Sequence, residues 1–379
     1  MRRVFGFLGA VAGFGMSVLA AACGGDASSS PPYADSGPVR LDAAIDAGLD
    51  ASLDGAAPVD SAIDSGPQDA GGDAASDAGA DGSADAAMPQ TAPMRLSETG
   101  LYRDGSLTEL ADGVMAYTPR YELWSDGADK LRYLQLPDGQ PIDTSDMDAF
   151  VFPVGTKAWK EFSRDGTRLE TRLLWKTEDG WIHVAYAWNE AQTEAIATTR
   201  GAEDVLGTQH DIPTRIECRE CHQGAADTLL GVSALQLAHD GQGLTLEQLE
   251  ADGRLTDAPP AGLARPDTLE WNALGYLHAN CGTCHNPRGK GFERVDIELW
   301  LRASELEVTS TRAYVTCVGV AIEQTTGDDT ARIAPGLPED SALITRMRLR
   351  GEEEAMPPIA SERTDDAGIA LVEQWIESL

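Results

Sequence analysis

Two kinds of hydrophobic spacing divide the chain. Between Leu96 and about Pro213 apolar and polar positions alternate over short runs. Leu169, Thr171, Leu173 and Trp175 are interleaved with Glu170 and Arg172, and Ile182, Val184, Tyr186 and Trp188 share one face of the next run. A period of two is the mark of strands that bury one face. Asp-Gly pairs at 138–139, 165–166 and 179–180 punctuate these runs. They predict tight hairpins, because both central positions of such a turn favour positive φ. The pattern therefore predicts an antiparallel meander, and five of the eight Trp, all within 124–188, supply the bulk to core a small β-sandwich or barrel. Towards the C-terminus the period lengthens to that of a helix. Leu269 to Asn280 reads as one helix, with Asp267 and Glu270 as a capping box, and Ile369, Val372, Trp375, Ile376 and Leu379 share a face of a terminal helix.

Ahead of Leu96 neither period is present. From Gly24 to about Pro93 the chain is almost entirely Ala, Asp, Gly, Ser and Pro, with Asp recurring every fourth residue at Asp42, Asp46, Asp50 and Asp54 and again at Asp73, Asp77, Asp81 and Asp85. On a helix those carboxylates would stack like charges, and the segment has too little apolar surface to offset its ordering entropy. It reads as a solvated tether, which as a flexible coil reaches on the order of 45 Å. Upstream, Arg2 and Arg3 precede an apolar run, Val4–Leu19, and the small residues Ala20, Ala21 and Ala22, which is the layout of an export signal. Leu19 to Cys23 resembles a bacterial lipobox, with Ala20 where Leu is usual. By that resemblance Cys23 is the lipid attachment site, and Gly24 beside it resembles lipoproteins sorted to the outer membrane. The expected contact with membrane is through this lipid anchor alone.

Charge narrows the partners. The formal net charge is −33, of which the tether carries a third. Phosphate backbones and anionic headgroups are held by Lys and Arg, so nucleic acid and anionic lipid are excluded as electrostatic partners. Any partner steered by long-range attraction is a basic one.

The chemistry lies in the cysteines. Cys218-Arg-Glu-Cys221-His222 and Cys281-Gly-Thr-Cys284-His285 both have the c-type haem attachment spacing. Two thiols one helical turn apart can reach the vinyl groups on one porphyrin edge, and the adjacent imidazole can swing beneath the ring to the iron. Zinc ribbons place their pairs about 15–20 residues apart, whereas 59 residues separate Cys221 from Cys281. A redox dithiol or a structural disulfide leaves both histidines unexplained. The expected cofactors are thus two covalently bound haem c groups, with His222 and His285 as metal ligands. For the first, the distal ligand is open among His210, His239, His278 or a residue from elsewhere. His183, on a strand beside no Cys or second His, reads as structural or solvent-facing. Cys317 reads as a buried thiol on a strand, and the β-region offers no nucleophile or carboxylate pair, so no catalytic residue is assigned.

The helix leading into Cys281, the aromatic terminal helix and the Ala355-Met-Pro-Pro-Ile359 loop resemble class I c-type cytochromes. That resemblance makes Met356 the distal ligand opposite His285, with Met347 better explained by core packing. Together with Leu123–Lys130, Phe152–Thr156, Glu170–Leu174 and Tyr276–Cys281, the motifs resemble a largely uncharacterised family of exported bacterial dihaem c-type cytochromes. The resemblance spans about 96–379 and implies single-electron transfer between redox partner proteins, without a substrate. An open first haem would instead suit a peroxidase or other oxidoreductase, and the β-rich part a ligand sensor. The expected organisation is multidomain α+β: a signal peptide at 1–22, a disordered tether at 23–93, a β-rich domain at 94–212, a first haem module at 213–264 and a cytochrome c-like, mainly helical domain at 265–379.

Overall fold

A computed structural model describes residues 92–322, 329–359 and 361–379. The expected signal, the anchor Cys23 and the tether up to residue 91 lie outside the described residues. Six strands, β1 (Val114–Ala116), β2 (Asp129–Gln135), β3 (Lys157–Arg164), β4 (Thr167–Thr177), β5 (Gly180–Trp188) and β6 (Ala195–Thr198), pair in sequence order, each antiparallel to the next. The meander is as expected, but it is one open sheet in place of a sandwich or barrel.

The Asp-Gly pairs behave unequally. Asp165 (φ 51°) and Gly166 (φ 78°) occupy the two central positions of the β3–β4 hairpin. At the next turn Thr177 pairs with Gly180, so Glu178 and Asp179 are central and the glycine opens β5. Asp138 and Gly139 are the central residues of a turn closed by Gln140 N on the Pro137 carbonyl at 3.3 Å, but that turn lies inside the long connection 136–156, which buries Leu136, Ile142, Phe150 and Phe152, and it joins no hairpin.

The alternation of the strands separates two cores. On one face Tyr133, Trp159, Leu173 and Val184 stand in a cross-strand row and, with Tyr186 and Trp188, meet Leu96, Leu101 and Tyr102 from the segment ahead of β1. On the other face Leu134, Ala158 and Leu174 join a larger core with the helices. That core draws residues from the β-rich stretch and from both helical stretches, so the three folded regions expected from the sequence share one interior.

The helices are α1 (Arg215–His222), α2 (Ala234–Leu237), α3 (Leu246–Ala251), α4 (Leu269–Asn280), α5 (Arg312–Cys317), α6 (Ala342–Arg348) and α7 (Asp366–Glu377). α4 has the expected bounds, but its N-cap is Thr268, without a side-chain cap bond. Asp267 instead accepts a hydrogen bond from Asn272 Nδ2 at 2.8 Å. α7 is capped by Asp365, whose carboxylate accepts from Gly368 N at 3.0 Å, and it buries Ile369, Val372, Trp375 and Ile376, while Leu379 is exposed beyond its end. Cys317 is buried on α5 and not on a strand: its neighbours Ala313 and Thr316 complete a helical face that alternation over so short a run did not reveal. No described helix is long and apolar enough to cross a membrane.

α4 and α7 pack against each other, and Gly368 permits the approach, because a Cβ there would run into the Tyr276 ring. Gly368→Val is expected to lower stability by about 1–3 kcal/mol through overpacking. The check is the midpoint of urea unfolding, which an unaltered value would put at odds with this packing.

Candidate functional site

The first motif is wound into α1. Thr214 and Glu217 form a reciprocal capping box: Glu217 Oε2 accepts from Thr214 N at 2.8 Å and Thr214 Oγ1 from Glu217 N at 3.3 Å. The cap starts the helix four residues before Cys218, which puts Cys218 and Cys221 one turn apart on one face. His222 ends the helix, buried, with Nδ1 2.8 Å from the Thr228 carbonyl. A carbonyl only accepts, so Nδ1 donates and Nε2 keeps the lone pair. Burial, with the charge of Lys160 second to it, holds this imidazole well below its ordinary range and hence neutral. A neutral histidine oriented by a backbone carbonyl is the usual state of a metal-bound one.

Two contacts brace this motif from the sheet. The His183 ring meets the His222 ring edge-on at 5.3 Å, so the histidine that stood alone in the sequence has a second histidine beside it in space. Asp227, in the loop after α1, accepts from Phe152 N (2.7 Å), Lys176 Nζ (2.7 Å) and Trp181 Nε1 (2.8 Å).

The second motif follows α4 as a turn, with the amides of Cys284 and His285 both bonded to the Cys281 carbonyl at 3.1 and 2.9 Å. Cys281 packs into the large core, and burial pushes its thiol up to about 12. Cys284 faces the other way and meets Cys221 from the first motif. The hydrogen bond between the two thiols brings Cys284 down to about 7 and moves Cys221 in the opposite direction. The two motifs thus touch through their second cysteines. His285 has a buried Nδ1 without a hydrogen-bond partner, and burial, aided by Arg346, takes it to about 4. Met356 N donates to the Arg346 carbonyl at 3.0 Å, so residue 346 neighbours both expected ligands of the second group. Met347 is buried in the core on α6. The five described cysteines form no disulfide, and the described residues hold no cluster of three or more His, Cys, Asp or Glu suited to a metal ion.

Between the sheet and the helices lies a cleft with about 1680 Å³ of empty space, its mouth included. Cys218, Cys221 and His222 line it from α1, Cys284 from the second motif, and Pro357, Pro358 and Ile359 from the loop after Met356. His285 and Met356 themselves are not among its walls. Aromatic walls come from Trp124, Phe162 and Trp300, and the sheet contributes Lys130, Arg132, Lys160 and Arg172. Three of these cations are direct cross-strand neighbours, since Arg132 pairs with Lys160 and Lys160 with Arg172. Arg132 is bridged by Glu122 at 2.9 Å. Arg172 Nε bonds Glu170 at 2.8 Å; burial raises the Glu170 carboxyl, but Arg172 and His210 bring it below the usual range. Burial and then the neighbouring arginines bring Lys160 down to about 7.

The tautomers discriminate among the candidate distal histidines. His239 Nε2 donates to the Thr118 carbonyl and its Nδ1 accepts from Gly241 N, so both nitrogens are engaged. His278 accepts from Leu301 N on Nδ1, which leaves Nε2 carrying hydrogen, and burial keeps the ring neutral with a value of about 4. It lines the cleft as a donor and not as a lone pair. His210 Nε2 is 2.8 Å from Glu170, and its other nitrogen is sealed from solvent without a partner. His239 and His278 thus offer no free lone pair, whereas His210 keeps one on its buried Nδ1.

Sequence reasoning missed the cation row, the Thr228 carbonyl behind His222 and the Asp227 brace. The alternation placed Arg172 on the polar side of its strand, but only register shows that Arg132 and Lys160 lie beside it. No family model matches the chain, and no curated protein or solved structure does.

Asp227→Asn removes the charge facing Lys176 and one acceptor orientation, and is expected to cost about 2–4 kcal/mol. Chemical denaturation measures it; a loss below half a kcal/mol would show that the loop after α1 is held by other contacts.

Proposed function

We propose that this chain is an exported dihaem c-type cytochrome that passes single electrons between redox partner proteins. The observation supporting this most directly is that the first CxxCH motif lines a cleft that Cys284 of the second also reaches, with His222 neutral and its Nε2 lone pair kept for a ligand by the Thr228 carbonyl. Cys218, Cys221 and His222 would hold one haem. Cys281, Cys284, His285 and Met356 would hold the other, and the orphaned Nδ1 of His285 is consistent with a group that completes this site. Haem supplies an iron couple that takes and releases one electron. The polypeptide's part is to keep each imidazole neutral by burial, to orient it and to limit water around it. We read α4, the turn after it, the Met356 loop and α7 as the cytochrome c-like part of the chain. Cys23 is read as a lipid anchor that holds the protein to the outer membrane by way of the tether, and the acidic surface as favouring basic redox partners.

A second reading is a haem enzyme, a peroxidase or another oxidoreductase, with an open position at the first group. What favours it is the commitment of the nitrogens of His239 and His278 and the sealing of His210.

Covalent attachment is read by haem staining after denaturing electrophoresis. Staining is expected to persist in the wild type, to fall by about half in Cys218→Ser/Cys221→Ser and in Cys281→Ser/Cys284→Ser, and to vanish when all four are replaced. Undiminished staining in the fourfold variant, or none in the wild type, contradicts the assignment. Anchoring is read by globomycin, under which an unprocessed precursor is expected to accumulate; unchanged processing would remove the lipid anchor at Cys23.

A further inference from the structure

The row formed by Arg132, Lys160 and Arg172 is unusual for both its geometry and its surroundings. Like charges directly opposite each other on adjacent strands repel, and this chain has more than twice as many acidic as basic residues from which to supply partners. Both arginines have a carboxylate, Glu122 and Glu170. Lys160 has none. The charged side chains acting on it most strongly are Arg132, Arg172 and Lys130, and its ammonium makes no hydrogen bond to any described residue.

The carboxylates that share the cleft do not fill that role, because each is engaged elsewhere. Asp126 accepts from the amides of Glu362 and Arg363, both at 3.0 Å. Asp148 accepts from Ala303 N and Asp211 from Asp204 N. Glu217 caps α1, and Asp227 already accepts from three donors, Lys176 among them. Lys130, at the edge of the row, reaches only Ser125 Oγ, at 3.3 Å. The Glu122 and Asp365 carboxylates act on Lys130 without an ion pair to either. The cleft therefore has aromatic walls, one lysine, Lys160, without a carboxylate partner, and a donor nitrogen on His278, beside the first motif.

We propose that Lys160, supported by Lys130 and Arg172, is the centre of an anion site in the cleft that binds a carboxylate or a small oxyanion. Two sources carry that chemistry: the propionate carboxylates of a haem attached at Cys218 and Cys221, or a free oxyanion that enters from solvent. The first source rests on the haem assignment; the second does not. In either case the anion offsets the repulsion within the row, and fixed donors at the sheet hold it beside His222.

The test uses the full-length purified protein, as wild type and as Lys160→Met, Lys160→Arg and the remote surface variant Arg103→Met, each first checked for a native thermal transition. Sulfate and acetate are titrated by calorimetry, and the reduction potential is measured by spectroelectrochemistry. Binding of either ion that weakens about tenfold in Lys160→Met, and is retained in Lys160→Arg and Arg103→Met, establishes a free oxyanion as occupant. No ion binding, with a potential that falls in Lys160→Met and recovers in Lys160→Arg, establishes the propionates. If neither the ion titration nor the potential responds to Lys160→Met, the anion site is overturned. If the protein carries no haem, the titration alone decides: ion binding lost in Lys160→Met upholds the site while the haem assignment fails, and absent binding overturns the site as well.

Discussion

The helices dock on one row of the sheet and stand off from the next, and the cleft follows from that contrast. Leu134, Ala158 and Leu174 form a cross-strand apolar row that the helical half covers to make the main core. Two residues along each strand, on the same face, the row is Arg132, Lys160 and Arg172. Arg132 and Arg172 are sheltered there only in company with Glu122 and Glu170; closing apolar helix surface over Lys160 as well would bury a charge with no carboxylate partner, at a cost of several kcal/mol, which keeps the helices from closing there. The sheet thus creates a space with an apolar boundary on one side and a cationic floor on the other.

Both CxxCH motifs reach this space because of how their helices begin and end. The Thr214–Glu217 box starts α1 beside the end of β6, where Arg215 N bonds the Thr199 carbonyl at 3.3 Å, and the loop behind α1 is tied back to β4 and β5 through Asp227. α4 runs through the core, where Trp271, Leu274 and Leu277 are buried, and releases the second motif at its C-terminus. Cys281 is consequently turned inward and Cys284 outward, where it meets Cys221. The same helix is held by α7 through the gap left at Gly368, so the terminal helix acts on the position of the second motif without touching the cleft.

Much of this was legible from spacing alone. α4 and α7 are long and strongly periodic, the meander shows its alternation plainly, and the CxxCH motifs are local in sequence. What was not legible depends on tertiary register. Thr268 and not Asp267 takes the N-cap position of α4, and Asp267 is bonded to Asn272, a choice between two adjacent residues that spacing leaves open. Only one Asp-Gly pair sits at the centre of a hairpin, since the others fall where the flanking strands are offset or not adjacent. The cation row needs the register of β2 on β3, set across the long connection 136–156, and of β3 on β4, which shifts between Phe162 and Ser163. His183 meets His222 through the packing of α1 on β5, which no local pattern encodes.

What the cleft and the two motifs do depends on whether they hold covalent haem. The most direct measurement is pyridine haemochrome absorbance against polypeptide mass for the protein purified from a host that matures c-type cytochromes. Two haems per chain are predicted; a chain that carries none contradicts the cytochrome assignment, and one per chain contradicts the assignment of a haem to each motif.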